Sequence, residues 1–131
     1  MTKTIVITHG SLAKDLVEVT DQILERATGA IPICFDFLND YSELKHKIEE
    51  VLSTIDDSDK IIILTDLFGG TASNVAIPFV QKERVDVITG LNLAMLLYLF
   101  SQPEDTAFMT LCQGVKTAGK EAIIVAGEFL P

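Results

Sequence analysis

The sequence predicts an α/β fold: a three-layer sandwich in which a mostly parallel sheet has helices on both faces. Short β-rich apolar runs alternate with segments whose apolar residues recur at helical spacing, and this alternation is typical of parallel strands joined by right-handed crossovers. The run at residues 60–65 is apolar on both faces, as expected for a buried strand of a parallel sheet. The 131 residues contain no linker, low-complexity tract or internal repeat, so we expect one domain over residues 1–131.

The predicted elements follow the order βαβαβαβααβ. Strands are expected at residues 4–8, 31–37, 60–65, 85–89 and 122–126. Helices are expected between Ser11, a candidate N-cap, and Gly29, from Asp40 to Ile55, at 72–80, at 92–100, and from Pro103 to Gly119. In the first helix, apolar residues recur at helical spacing. These are Leu12, Leu16, Val19 and Ile23.

Composition and charge exclude several classes of function. The chain has 19 acidic and 10 basic residues and a net charge of −9, which argues against nucleic-acid binding because that depends on Lys and Arg meeting phosphates. With 48% hydrophobic residues it can form a substantial core. No apolar run reaches the roughly 20 residues that span a bilayer, and the N-terminus lacks the apolar region of a signal peptide. We therefore expect a cytoplasmic protein.

The cysteines and one of the two histidines favour structural rather than chemical roles. Cys34 and Cys112 match no metal or redox spacing and are expected to be buried thiols. His46 stands between two lysines of a charged helix and is expected to face solvent.

The polar residues of interest follow the predicted strands. In open parallel sheets, sites lie outside the carboxyl ends of the strands. His9 and Gly10 follow the first strand, Asp66 follows the third, and residues 90–92 follow the fourth. If the first and third strands are neighbours, His9 and Asp66 meet at one edge of the sheet.

A histidine paired with a carboxylate has a clear chemical use. Asp66 can accept a hydrogen bond from Nδ1–H of His9, which fixes the tautomer and makes Nε2 the nucleophilic nitrogen. This is the logic of a catalytic triad with the imidazole itself as the attacking group. The negative charge of Asp66 also stabilises the positive charge that develops on the ring.

A glycine-rich loop next to this pair predicts phosphate binding. Gly69 and Gly70 allow a tight turn and a close approach of the backbone to an anion. Thr71 then begins a helix, whose N–H groups and dipole favour phosphate. Phosphoryl transfer requires mainly alignment and charge stabilisation, so the three strand ends together indicate a phosphotransfer site.

Each feature alone also has a structural explanation. A histidine after a strand is usually not catalytic, a Gly-Gly pair is usually only a turn, and Asp66 can serve as a turn or cap residue. Their common placement at strand ends favours the chemical interpretation.

Three motifs stand at the ends of the predicted strands. They are Thr8-His9-Gly10, Asp66-Leu67-Phe68-Gly69-Gly70-Thr71 with Asn74, and Gly90-Leu91-Asn92-Leu93 with Met95. Together they resemble the enzyme IIA component of the mannose family of the bacterial phosphoenolpyruvate:sugar phosphotransferase system (PTS), and the resemblance covers essentially the whole chain in the order and length of its elements.

The resemblance implies a phosphocarrier. His9 would accept a phosphoryl group from the histidine phosphocarrier protein, HPr, and pass it to a histidine of the IIB component. IIB would in turn phosphorylate sugar that enters through the membrane components IIC and IID. No metal or organic cofactor is implied. The resemblance also implies a homodimer in which the last strand, within residues 121–129, pairs with the sheet of the partner subunit.

The resemblance also assigns roles to individual residues. His9 would be the phosphorylated nucleophile and Asp66 would orient it. The phosphate-binding residues would be Gly10, Gly69, Gly70 and Thr71. The residues implied to contact partner proteins are Phe68, Asn92 and Met95.

Three alternatives stay open from the sequence. The same domain also resembles modules of sigma-54-dependent activators, in which histidine phosphorylation is a regulatory switch. The phosphoryl-carrying subunit of a dihydroxyacetone kinase shares the fold and the early histidine, but the second and third motifs fit the sugar-transport group better. The third alternative is a small hydrolase or ligand-binding module of flavodoxin-like shape.

Overall fold

A computed structural model describes residues 1–36 and 40–131. It contains one four-stranded sheet, in the order β2-β1-β3-β4, in which every pairing is parallel. The strands are β1 Thr2–His9, β2 Ile31–Phe35, β3 Lys60–Thr65 and β4 Val85–Ile88. The helices are α1 Leu12–Leu24, α2 Tyr41–Ser53, α3 Thr71–Ala76, α4 Leu93–Ser101 and α5 Phe108–Glu121, with 3₁₀ turns at Ile77–Phe79 and Ala126–Phe129. The predicted α/β class is confirmed.

The core has two halves, one on each face of the sheet. Because side chains alternate along a strand, Ile61 and Ile63 of β3 pack with α2 and α3, whereas Ile62 and Leu64 pack with α1, α4 and α5. All four are fully buried. Each such side chain contributes roughly 1.5–3 kcal/mol to the free energy of unfolding. The buried central strands therefore hold in place the residues at their carboxyl ends, which include His9 and Asp66.

Two of the expected helix starts are capped by local side chains. Asp40 accepts a hydrogen bond from the backbone N–H of Glu43 at 2.8 Å, which confirms it as the N-cap of α2. Asn92 accepts one from the N–H of Met95 at 3.1 Å and caps α4 in the same way. Ser11 is the N-cap residue of α1, as predicted, but its hydroxyl makes no cap hydrogen bond and instead donates to Asp15.

α1 buries mainly small and β-branched residues against the sheet. The helix buries Ala13, Val17 and Thr20, whereas Leu12, Val19 and Ile23 are exposed. The buried row contains small and β-branched side chains, so α1 can approach the sheet closely. α1 ends at Leu24 with Glu25 in the left-handed conformation, before Gly29.

The C-terminal part of the chain departs most from prediction. α5 begins at Phe108, after a turn at residues 103–106, and it runs through Gly119 to Glu121. Gly119 does not end the helix. It instead makes room for Met95, whose Cγ would lie 2.7 Å from an added Cβ. The strand expected at 122–126 is not formed within the described residues, and Ile123, Ile124 and Val125 are exposed. A strand needs a neighbour to satisfy its backbone groups, and within residues 1–36 and 40–131 this segment pairs with no strand.

Smaller differences concern the ends of elements and one cysteine. α3 stops at Ala76 and continues as a 3₁₀ turn, because Pro78 has no N–H to donate. Residue 37, included in the predicted second strand, lies outside the described residues. Cys34 is exposed, contrary to prediction, because it stands on the edge strand β2. Cys112 is buried, and burial, followed by the charge of Asp86, raises the pKa of its thiol to about 11.

Two other expectations concern the exposure of His46 and the presence of a membrane-spanning helix. His46 faces solvent, as predicted, and its Nε2 lies 3.2 Å from a carboxylate oxygen of Glu50 one turn later. Over residues 1–36 and 40–131, no helix has the length and apolar character needed to cross a bilayer.

Candidate active site

His9 and Asp66 meet at the carboxyl edge of the sheet. His9 is the last residue of β1 and Asp66 directly follows β3, and these strands are hydrogen-bonded neighbours. Nδ1 of His9 lies 2.7 Å from Oδ2 of Asp66. The backbone N–H of His9 donates to that same oxygen at 2.9 Å. One carboxylate oxygen therefore holds both the main chain and the ring of His9.

The surroundings of Asp66 favour its ionised form. Burial raises the pKa of the carboxyl group, but hydrogen bonds from the His9 backbone and ring, the charge of His9 and the Leu67 N–H outweigh it, so the pKa is lowered. The Leu67 N–H donates to Oδ1 at 3.0 Å, which leaves Oδ2 to His9. A carboxylate only accepts hydrogen bonds, so Nδ1 of His9 carries the proton. When His9 is neutral, a proton on Nδ1 leaves the lone pair on Nε2.

Phe35 supports His9 from the neighbouring strand. The two residues are in register between β1 and β2, and their ring centroids are 4.5 Å apart at an angle of 47°. The carbonyl of Phe35 accepts a hydrogen bond from the Gly10 N–H at 2.7 Å. Gly10 has a φ of +55°, a conformation that favours glycine. Phe35 was not predicted as a site residue, and the signal for it is its place on the strand beside β1, where β2 ends.

The glycine-rich loop follows Asp66 directly. Gly69 has a φ of +82° and Gly70 is the N-cap residue of α3. The Ser73 hydroxyl donates to the Gly70 carbonyl at 3.0 Å, and the Asn74 amide donates to the Gly69 carbonyl at 3.2 Å. These two side chains therefore hold the loop shape. Thr71 is the first residue of α3.

The three residues implied to contact partners differ in their surroundings. Phe68 is 77% exposed at the tip of the loop after Asp66. Met95 is only 3% exposed, with its side chain against Gly119, and its contact with a partner stays a prediction. Asn92 is half-buried and its amide donates to the Gly119 carbonyl at 3.1 Å. Its side chain joins α4 to α5.

The motif at residues 90–95 contacts the site through its backbone. The Leu91 N–H donates to the carbonyl of Thr65 at 3.0 Å, one residue before Asp66. The segment that follows β4 is thereby attached to the end of β3. All three strand ends of the predicted site are therefore gathered at one edge of the sheet.

Comparison with known proteins agrees with this arrangement. Residues 3–116 match the family of PTS system fructose IIA components. The chain belongs to this family. The PTS system fructose-specific EIIA component of Bacillus subtilis is 28% identical over 131 residues, which cover 99% of this chain and 90% of that protein. The PTS system mannose-specific EIIAB component of Escherichia coli K12 is 30% identical over 94% of this chain, which spans only 39% of that longer protein.

Solved structures show the same fold. The EIIA component of Streptococcus agalactiae has a TM-score of 0.85 at 24% identity, over 98% of this chain and 99% of that one. The mannose/sorbose specific IIA subunit of Enterococcus faecalis also has a TM-score of 0.85 at 24% identity, over 99% and 96%. Membership of the IIA family supports a phosphotransfer role in sugar uptake by the PTS.

Proposed function

We propose that this IIA protein accepts a phosphoryl group from phospho-HPr on His9 and donates it to a histidine of the IIB component. The observation that carries the proposal is the double contact of Asp66 Oδ2 with the ring and backbone of His9, at 2.7 and 2.9 Å. Such a contact orients the ring and selects one tautomer. Family membership supports HPr and IIB as the two partners.

The transfer step is an exchange of one N–P bond for another. The lone pair on Nε2 of His9 attacks the phosphorus of the phosphohistidine of HPr. As the new N–P bond forms, the old one breaks, and its electron pair returns to the imidazole nitrogen of HPr. The Nδ1 proton of His9 stays on its hydrogen bond to Asp66, whose negative charge offsets the positive charge that the ring gains. In the second step a histidine nitrogen of IIB attacks the phosphorus on His9, and the electron pair of the broken N–P bond returns to Nε2 of His9.

The loops around His9 are suited to bind the phosphoryl oxygens. We propose that the backbone at Gly10, Gly69 and Gly70 and the hydroxyl of Thr71 contact them. Ser73 and Asn74 hold the carbonyls of the loop, so its shape is established before the phosphoryl group arrives. Little reorganisation is then needed during transfer, which is how such sites gain rate.

The partner surface is proposed to surround this loop. Phe68 and Leu67 are exposed apolar side chains next to Asp66, and they would pack against HPr and IIB in turn. The net charge of −9 would favour encounter with a basic surface. We further propose that the protein acts in the cytoplasm as a single domain.

The exposed C-terminal segment supports a dimer. Ile123, Ile124 and Val125 are consecutive exposed apolar residues, and β4 is an edge strand of the sheet. An apolar segment and an open edge are each stabilised by a partner. We propose that this segment pairs with the sheet of a second subunit.

Intact mass spectrometry tests the carrier role. The protein is incubated with phosphoenolpyruvate, enzyme I and HPr, and wild type is compared with His9→Ala and with the matched control His46→Ala. We expect an acid-labile gain of one phosphate in wild type and His46→Ala and none in His9→Ala. The absence of any gain in wild type while HPr itself is phosphorylated would refute the proposal.

A further inference from the structure

Thr8 makes an unusual pair of hydrogen bonds beneath the site. It is fully buried in β1, one residue before His9. Its hydroxyl oxygen accepts from the Ala13 N–H at 2.6 Å and its hydroxyl hydrogen donates to the carbonyl of His9 at 3.1 Å. A strand residue therefore satisfies one of the free N–H groups at the start of α1, which Ser11 leaves without a side-chain cap.

These bonds connect the start of α1 to the main chain of His9. The His9 N–H and ring are held by Asp66 on one side, and its carbonyl is held by Thr8 on the other. Because both contacts with Asp66 end on the same oxygen, a shift of the His9 backbone changes both distances together. Ring orientation thus depends on how firmly the backbone is held.

We propose that Thr8 is a positioning residue for phosphotransfer, whose hydroxyl fixes the His9 main chain so that the ring stays on Asp66. This inference rests on the proposed function for its kinetic part. Its geometric part concerns only the tautomer and orientation of His9. Small displacements of reacting groups reduce rates steeply, so loss of the hydroxyl should be visible in both properties.

The test compares three full-length variants. Thr8→Val removes the hydroxyl with little change in shape, and Thr8→Ser keeps it. Thr20→Val is the matched control, because Thr20 is also fully buried in α1 and its hydroxyl donates to the Leu16 carbonyl at 2.7 Å, away from His9. The readouts are the ¹⁵N NMR shifts of the His9 ring, which report the tautomer, and the rate of phosphate acceptance at varied phospho-HPr.

We expect Thr8→Val to lower the maximal rate roughly tenfold without a matching rise in the phospho-HPr concentration at half-saturation. Its ring nitrogen shifts should move toward the average of the two tautomers. Thr8→Ser and Thr20→Val should resemble wild type. Should Thr8→Val fail to fold, Thr8→Ala removes the hydroxyl without adding volume, and Thr8→Ser still tests the requirement for it.

Three results would overturn the inference. The first is that Thr8→Val and Thr8→Ala have the same His9 ring shifts and the same rate of phosphate acceptance as wild type. The second is that Thr20→Val loses as much rate as Thr8→Val, and the third is that Thr8→Ser does so. The second would show a general effect of weakening α1, and the third an effect of volume. If wild type accepts no phosphate from phospho-HPr, the proposed function fails, but the NMR shifts still decide the role of Thr8.

Discussion

Replacing Asp66 by asparagine keeps the size of the side chain and removes its charge. Asp66 accepts three hydrogen bonds, from the His9 N–H, the His9 ring and the Leu67 N–H, at 2.9, 2.7 and 3.0 Å. Asparagine has only one acceptor oxygen, and its NH₂ group would face at least one of these donors. The ring then loses the group that keeps the proton on Nδ1.

The size of the effect follows from these contacts. A hydrogen bond to a charged group contributes about 1.5–3 kcal/mol, so the loss of at least one should lower the free energy of unfolding by about that amount. The transfer rate should fall by roughly 10²–10⁴-fold, as for other sites in which a carboxylate orients a histidine. Asp66→Asn should affect the transfer rate more than the binding of the phosphoryl group, because neither Nε2 nor the glycine loop is altered.

The lowered pKa of Asp66 also gives a pH dependence with a definite sign. A carboxyl group whose pKa is lower in the folded state stabilises the protein above its unfolded pKa, about 3.9. That contribution is lost as pH falls through the folded pKa. On acidification from about pH 5, wild type should therefore lose more stability than Asp66→Asn, and the two should converge.

Urea unfolding at several pH values and single-turnover transfer from phospho-HPr measure these quantities. Asp56→Asn is the matched control. Asp56 is an exposed carboxylate whose pKa is also lowered, by hydrogen bonds from Ser58, and it lies in the turn before β3, away from His9. Transfer by Asp66→Asn at a rate close to that of Asp56→Asn would refute the assigned role of Asp66.

Three further substitutions test the packing and the partner surface. Gly119→Ala should destabilise by about 1–3 kcal/mol in urea unfolding, because its Cβ would lie 2.7 Å from Met95 Cγ, whereas Gly127→Ala, with nothing within 4 Å, should be nearly neutral. Phe35→Ala should cost about 3–5 kcal/mol in the same assay, since Phe35 is buried against the His9 ring. Phe68→Ala should leave stability unchanged, because the side chain is exposed, and should raise the phospho-HPr concentration at half-saturation. Unchanged saturation would place the partner surface elsewhere.

Local patterns account for the parts of the fold that were predicted. The central strand at residues 60–65 was found with its predicted bounds, because a run that is apolar on both faces has few other stable environments. Asp40 was identified as an N-cap because Glu43 follows it three residues later, and the bond between the Glu43 N–H and Asp40 is present. Such features depend on residues within a few positions of one another.

The features that were missed depend on distant neighbours. Which face of α1 is buried depends on how closely the helix approaches the sheet, and its capping by Thr8 comes from the strand before it. Gly119 looked like a helix end, but its lack of a side chain admits Met95 of α4. The predicted last strand has an apolar composition, yet a strand forms only where another strand can pair with it.

The site shows the same division. The residue types, the family resemblance and the location of His9 and Asp66 after two strands could all be read from the sequence. These residues are 57 positions apart, and periodicity within each strand contains no information on which strands are neighbours. The contact of one Asp66 oxygen with both the ring and the backbone of His9 is made across the sheet and not along the chain. It therefore depends on the placement of β1 beside β3 in the fold, which the sequence pattern does not contain.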